Sequence, residues 1–130
     1  MTKKEVQKSV SHYGKSLPLG KFEWDNKTKT FSTDADNLLL NFSDMDGYTF
    51  FTGSHCIFIT GSDCTFTTEN DCVFITWDNC IFNTDENCIV IRKDICEVIE
   101  IPPHTMIKLN HFGYNGYRAL DKTQINNYEK

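Results

Sequence analysis

The stretch SHCIFITGSDCTFTTENDCVFITWDNCIFNTDENCIVIRK, residues 54–93, repeats a unit of eight residues five times. A phenylalanine stands two residues after each of the first four cysteines, and a threonine stands two residues later again. Self-similarity at a fixed short period is typical of proteins that stack identical structural units. The repeat therefore predicts a solenoid.

Each unit alternates constrained and variable positions in the pattern Cys-x-Phe-x-Thr, which predicts a short β-strand with its constrained side chains on one face. The positions between strands hold mostly Gly, Ser, Asp and Asn, which favour turns. Because stacked coils need matching shapes inside, we expect the constrained positions to form a core ladder. Its predicted members are Cys56, Phe58, Cys64, Phe66, Cys72, Phe74, Cys80, Phe82 and Cys88.

The variable positions indicate how many units make one coil. With two units per coil, one sheet carries an unbroken apolar stripe on its outer face, whereas three units per coil would scatter the same side chains over three faces. The stripe consists of Ile57, Ile59, Val73, Ile75, Ile89 and Ile91. The sequence thus predicts an all-β fold, a small two-sheet parallel β-solenoid with about 16 residues per coil and about four coils, and with capping strands at both ends.

Degenerate copies extend the repeat over residues 40–101. The earliest copy places Leu40, Phe42 and Asp44 inside, and the last places Cys96, Val98 and Glu100 inside.

The segments outside the repeat are expected to close its ends. Residues 1–39 form an N-terminal segment with a capping hairpin, for which the two runs around 21–24 and 29–32 provide the strands. Residues 102–130 form a C-terminal cap and tail, because Pro102 and Pro103 cannot continue the ladder. We expect a cap strand at 105–109 and a solvated tail from about Thr123.

The pattern resembles the octapeptide Cys-x-Phe-x-Thr repeat proteins of bacterial and phage genomes, most closely from Cys56 to Thr84 and more loosely from Leu40 to Ile101. It is also similar in architecture to pentapeptide-repeat proteins, some of which mimic DNA and inhibit DNA-handling enzymes. The octapeptide proteins mostly have no assigned function, and because the period differs the second likeness is one of architecture only, so the resemblance implies a β-solenoid fold.

We find no catalytic, cofactor-binding or metal-binding constellation, and we predict that the protein is not an enzyme. The six cysteines lack the Cys-x-x-Cys spacing of zinc sites, and buried free thiols explain them better than disulfides or metal binding. His55 shares a turn column with Asp71 and Asn87, for which a turn-lining polar set is the simplest explanation.

The ends and the charge of the chain bear on its location and partners. Met1–Lys8 is charged and no apolar run follows, so the sequence predicts neither a secretory signal nor a membrane span, but a cytoplasmic protein, in the bacterial host if phage-encoded. A net charge of −5 argues against direct nucleic-acid binding.

Acidic residues concentrate in the repeat. Between Asp46 and Glu100, ten acids oppose only Arg92 and Lys93. Two-unit coils place one row of acids along each edge: Asp46, Asp63, Asp78 and Asp94 on one, and Glu69, Asp71, Asp85 and Glu86 on the other. Turn formation and solubility are one explanation, and an edge that engages a basic, nucleic-acid-binding surface or a divalent cation is the other.

The apolar stripe covers roughly 300–500 Å², a size at which exposure needs an explanation. We expect a homodimer through this sheet, with a terminal segment folded over it or a foreign partner as alternatives.

The function favoured by the sequence is a non-enzymatic binding or inhibitory module that presents acidic edges to a basic protein surface. If the protein is phage-encoded, an anti-restriction or anti-CRISPR role fits. The alternative is a structural, self-assembling repeat protein. Ice binding is a remote alternative, since only Thr65 and Thr67 form an outward Thr-x-Thr pair.

Overall fold

The computed structural model describes residues 1–43 and 45–120 and has the predicted two-sheet β-solenoid. One helix, α1, spans Lys3–Gln7, and a 3-10 turn spans Leu19–Lys21. The strands are β1 (Val10–His12), β2 (Lys15–Ser16), β3 (Glu23–Asp25), β4 (Thr30–Ser32), β5 (Leu38–Asn41), β6 (Thr49–Phe51), β7 (Ile57–Ile59), β8 (Thr65–Thr67), β9 (Val73–Thr76), β10 (Ile81–Asn83), β11 (Ile89–Arg92), β12 (Glu97–Glu100), β13 (Met106–Leu109) and β14 (Tyr117–Leu120). Sheet 1 has the order β12-β11-β9-β7-β5-β1-β2, and sheet 2 has the order β14-β13-β10-β8-β6-β4-β3.

Strands β4 to β11 form four coils, each with one strand in each sheet. Each strand from β4 to β9 pairs in parallel with the strand one coil later. In sheet 2, Phe66 pairs with Phe50 on one side and with Phe82 on the other, a step of 16 residues each time. Two eight-residue units per coil are thereby confirmed.

Phenylalanine rings from the two sheets interdigitate along the axis of the solenoid. Phe66 stacks nearly parallel on Phe50 and Phe82, with ring centres 5.3 and 5.0 Å apart, and meets Phe58 and Phe74 edge-on at 5.1 and 4.9 Å. Every side chain of the core ladder lies inside, with at most 2% of its surface exposed. Because the pleat alternates, the residues between them point outward.

The threonine positions at the strand ends are buried as well. The hydroxyl of Thr76 donates to the carbonyl of Trp77 at 3.1 Å, and the hydroxyl of Thr60 to that of Gly61 at 3.4 Å. The hydroxyls of Thr68 and Thr84 have no hydrogen-bond partner within the described part of the chain. The threonine hydroxyls thus bond to turn carbonyls at Thr60 and Thr76 but not at Thr68 or Thr84.

The first coil departs from the predicted register. Leu40 pairs with Phe58, so it fills the phenylalanine position, and Phe42 fills the threonine position. The reason is that the turn before Tyr48 is two residues longer than the later turns, which the eight-residue frame did not allow for. Leu39 consequently points outward, in line with Ile57. Asp44, which the frame placed inside, lies outside the described residues.

The last predicted unit is wrong. The chain reverses after β11, and β12 pairs antiparallel with β11 in sheet 1. The reversal passes through Cys96 in a left-handed conformation (φ 53°), and it changes which side chains point inward. Ile99 is therefore 6% exposed and Val98 is 65% exposed, while the predicted core cysteine at position 96 is exposed.

Antiparallel strands close both ends of both sheets. At the N-terminal end β1 and β2 extend sheet 1, while β4 is both the second strand of the β3–β4 hairpin and the first parallel rung of sheet 2. At the C-terminal end β12 closes sheet 1, and β13 and β14 close sheet 2. Such caps hinder further strand addition at the open ends of a solenoid. The predicted tail from Thr123 lies outside the described residues.

Candidate interaction surfaces

The turns between coils share one backbone conformation that explains their residue choice. The residue before each cysteine position has a left-handed φ between 57° and 61°, at Asn37, His55, Asp63, Asp71, Asn79 and Asn87. Asn, Asp and His are enriched among the non-glycine residues that adopt this conformation. The column of His55, Asp71 and Asn87 is thus a set of turn residues, as the simplest interpretation held.

A ladder of polar side chains ties successive turns together at the position before the left-handed residue. The carboxylate of Asp36 accepts from the backbone N–H of Ser54 at 2.7 Å, and the Ser54 hydroxyl accepts from that of Asn70 at 3.2 Å. The Asn70 side chain in turn accepts from the N–H of Glu86 at 3.1 Å. These bonds fix the edge of the solenoid in one conformation.

On this edge, three of the four turns each carry two exposed carboxylates, and turn 52–55 carries none; we call this surface the acidic edge. Its members are Asp34, Asp36, Glu69, Asp71, Asp85 and Glu86. The turn segments 33–37, 52–55, 68–71 and 84–87 contain no lysine or arginine. Imidazoles lie beside the carboxylates, with His55 3.4 Å from Asp71 and His104 3.3 Å from Glu86. Asp34 and Asp36 were missed because their turn lies in a segment assigned to the N-terminal cap.

The opposite edge does not present the row of acids that its sequence predicts. Asp46 and Asp63 are exposed, but Asp78 is only 7% exposed and accepts from the Ser62 hydroxyl at 2.6 Å. The Asp94 side chain is fully buried against Arg92. The structure therefore gives the two edges different characters, and only the acidic edge has all of its predicted carboxylates at the surface.

The six side chains of the predicted apolar stripe lie together on the outer face of sheet 1. Ile57, Val73 and Ile89 align in one column, and Ile59, Ile75 and Ile91 align in a second. Leu39 extends the first column, and Val98 extends the second. We call these eight side chains the apolar face. Leu39, Ile57, Ile89 and Val98 are 41%, 43%, 36% and 65% exposed.

No protein-family model, curated protein or solved structure matches this chain. Among residues 1–43 and 45–120, no group of three or more His, Cys, Asp and Glu side chains is arranged to hold a metal ion. Within the same residues, no helix has the length and apolar character needed to cross a membrane.

The buried cysteine thiols lie next to carbonyl oxygens of the turns. The thiol of Cys72 lies 3.5 Å from the carbonyl oxygen of Asn70 and 3.6 Å from that of Gly53 one coil earlier, and Cys80 repeats this geometry beneath the next turn. A thiol is small and apolar enough for the core yet is a weak donor, so it adds a second, weak hydrogen bond to turn carbonyls such as that of Asn70, which also accepts from the N–H of His55 at 2.9 Å.

Arg92 anchors a loop at the C-terminal end of the opposite edge. Its guanidinium binds both carboxylate oxygens of Asp94, at 3.1 and 2.6 Å, and donates to the carbonyl of Tyr114 at 2.6 Å. The backbone N–H of Gly113 also donates to Asp94, at 3.2 Å. A buried cation in the threonine position of the repeat thereby holds residues 111–114 against the solenoid. Sequence reasoning missed this pair because it noted Arg92 and Asp94 only as surface charges.

Thiol accessibility provides a test of the core. We expect about one of the six cysteines to react rapidly with a thiol reagent such as Ellman's reagent in the native protein, because Cys96 alone is exposed among them. A hydrogen bond with Cys72 lowers the pKa of the Cys56 thiol to about 7, so Cys56 would react readily if it were accessible. Full reaction of all six should require denaturant.

The control is Cys96→Ser, which should abolish the rapid phase and leave the denatured count at five. Two or more rapidly reacting thiols in the native protein would show that the interior is open.

Proposed function

We propose that the protein is a non-enzymatic binding module whose acidic edge engages a basic, phosphate-binding surface of a protein that handles nucleic acid. The observation that carries the proposal is the number of negative charges per unit length along the acidic edge. Six carboxylates stand on three of four successive coils, and four coils at about 4.8 Å each occupy roughly 19 Å, so the average is one charge about every 3.2 Å. In DNA one charge occurs about every 3.4 Å along one strand and about every 1.7 Å in the duplex.

The rigidity of the edge supports the same role. The left-handed turns and the ladder of Asp36, Ser54 and Asn70 hold the carboxylates in fixed positions despite their mutual repulsion. A basic partner would relieve that repulsion on binding. Such a module would compete with nucleic acid for its partner, and for a phage-encoded protein the partner would be a host defence enzyme of the restriction or CRISPR type.

The structural alternative is a repeat protein that assembles further through the apolar sheet. End-to-end stacking of solenoids in parallel register receives less support, because both sheets end in antiparallel strands.

The test compares two variants with equal net charge. The edge variant Glu69→Gln, Asp71→Asn, Asp85→Asn and Glu86→Gln should lose at least tenfold in affinity for captured basic proteins and should no longer displace labelled duplex DNA from them. Asparagine tolerates the left-handed turn conformation that Asp71 adopts, so this change should leave the turn intact. The control replaces exposed acids elsewhere, Glu5→Gln, Glu23→Gln, Asp46→Asn and Asp63→Asn, and should bind as the wild type does.

The measurements are quantitative capture from a lysate of the source cells and fluorescence anisotropy of the DNA, at several salt concentrations. Increasing salt should weaken capture by the wild type. Equal capture and equal DNA displacement by the edge variant and the control would contradict the proposal.

A further inference from the structure

We propose that the apolar face binds a second copy of this chain, with the two solenoids antiparallel. The proposal concerns a different surface from the acidic edge and does not depend on the proposed function. It starts from the eight aliphatic side chains of the apolar face, which no described segment covers. The described N-terminal residues extend sheet 1 sideways through β1 and β2, and residues 106–120 add to sheet 2.

The first argument for a second copy is self-complementarity. The first column reads Leu39, Ile57, Val73 and Ile89 along the axis, with a large aliphatic residue at each position. A two-fold interface requires a surface that matches its own inverted image, and a flat column of similar side chains meets this requirement. Two flat sheets pack face to face at a separation of about 10 Å.

The second argument is charge complementarity along the axis. Residues 1–29, at the N-terminal end, contain seven lysines against three acids and carry +4, whereas residues 84–100, which include β11 and β12 at the C-terminal end of sheet 1, contain five acids against two basic residues and carry −3. Glu100 stands on the outer face of β12, directly beside Ile89. Parallel solenoids would bring like ends together, while antiparallel solenoids bring the basic end of each copy to the acidic end of the other.

These two arguments define the register. A two-fold axis parallel to the strands and centred between β7 and β9 places Leu39 of each copy opposite Ile89 of the partner copy. The same axis places Glu100 of each copy over β1 of the other, and β1 is flanked by Lys8 and Lys15.

The available area sets the strength of the contact. A sheet of seven strands, spaced about 4.8 Å apart and each about 12 Å long, would bury roughly 700–800 Å² of surface summed over both copies. This is below the roughly 1,200–2,000 Å² of standard stable interfaces. We therefore expect a reversible dimer whose formation depends on concentration in the micromolar range.

Sedimentation velocity or light scattering from 1 to 500 µM tests the proposal. The average mass should rise from 15.0 kDa towards twice that value, and added salt should shift the equilibrium towards the monomer. The variant Ile57→Thr, Val73→Thr and Ile89→Thr should weaken the dimer at least tenfold and remain folded, because Thr65 and Thr67 occupy outward positions of sheet 2. The control Ile81→Thr, on the outer face of sheet 2, should dimerise as the wild type does.

Cross-linking tests the orientation, in a Cys96→Ser background. About 10 Å between facing sheets is too far for a direct disulfide, so a short bismaleimide is used, and a mixture of Leu39→Cys and Ile89→Cys chains should form a cross-linked heterodimer in preference to either homodimer. A mass of 15.0 kDa at every concentration, assemblies larger than a dimer, or preferential Leu39→Cys homodimers would each overturn the proposal.

Discussion

Replacing Phe66 with alanine should lower the free energy of unfolding by about 3–5 kcal/mol. The ring has no exposed surface and contacts four other rings, stacked on Phe50 and Phe82 and edge-on to Phe58 and Phe74. Parallel pairing holds these neighbours one coil apart, so they cannot move in to fill the cavity. Urea denaturation followed by circular dichroism measures the loss.

Phe51→Ala is the matched control, because Phe51 lies on the adjacent strand of the same sheet but points outward and is 37% exposed. We expect it to lower the free energy of unfolding by less than about 1 kcal/mol. Similar losses for the two variants would mean that the phenylalanine ladder does not form the stabilising interior of the solenoid.

The central coils could be predicted because their repeat leaves little choice. The pattern Cys-x-Phe-x-Thr specifies which side chains of β6 to β10 point inward. Of two or three units per coil, only two units, or 16 residues, place the aliphatic pairs at 57/59, 73/75 and 89/91 on one face. Both inferences use only side-chain periodicity. Shifting a strand by one residue would turn all of its inward side chains outward, so the pattern allows only one register.

The ends could not be predicted from the same periodicity. A strict eight-residue repeat cannot detect a turn of different length. Leu40 was therefore assigned to the cysteine position instead of the phenylalanine position, and Leu39 was missed from the apolar face. At the other end, the chain reverses where the frame predicts another parallel rung, which brings Val98 to the surface and Ile99 to the interior. Such reversals are decided by tertiary packing rather than by local pattern.

The charges show a further limit of sequence reasoning. Asp71 and Asp94 look equivalent in the sequence, since each lies in a turn of the acidic repeat. In the structure Asp71 is an exposed left-handed turn residue, whereas Asp94 is buried against Arg92. Only the contact with a loop 19 residues further along the chain distinguishes them, and no spacing within the repeat contains that contact.

Arg92→Thr restores the residue that the repeat favours, yet it should lower the free energy of unfolding by about 3–5 kcal/mol. Thr76 occupies the same position one coil earlier, so the repeat alone would suggest a harmless change. The structure predicts the opposite, because the substitution leaves the buried Asp94 carboxylate without its cation and removes the donor to the Tyr114 carbonyl. Denaturation in urea measures the loss.

The dependence on pH follows from Asp94. Burial alone would raise the pKa of this carboxyl, but hydrogen bonds from Arg92 and from the N–H of Gly113 lower it overall. A lowered pKa contributes stability above the ordinary value of about 3.9, and this contribution is lost as the pH falls below it. The difference between wild type and Arg92→Thr should therefore be largest near pH 7 and should shrink towards pH 3.

The double variant Arg92→Thr, Asp94→Asn separates the lost cation from the lost loop contact. An asparagine can still accept from the N–H of Gly113 and carries no charge, so the double variant should recover much of the stability that Arg92→Thr loses. A single variant as stable as the wild type, or a destabilisation that stays constant from pH 7 to pH 3, would show that the pair does not act as a buried ion pair. Full recovery in the double variant would show that the unpaired carboxylate, rather than the released loop, accounts for the loss.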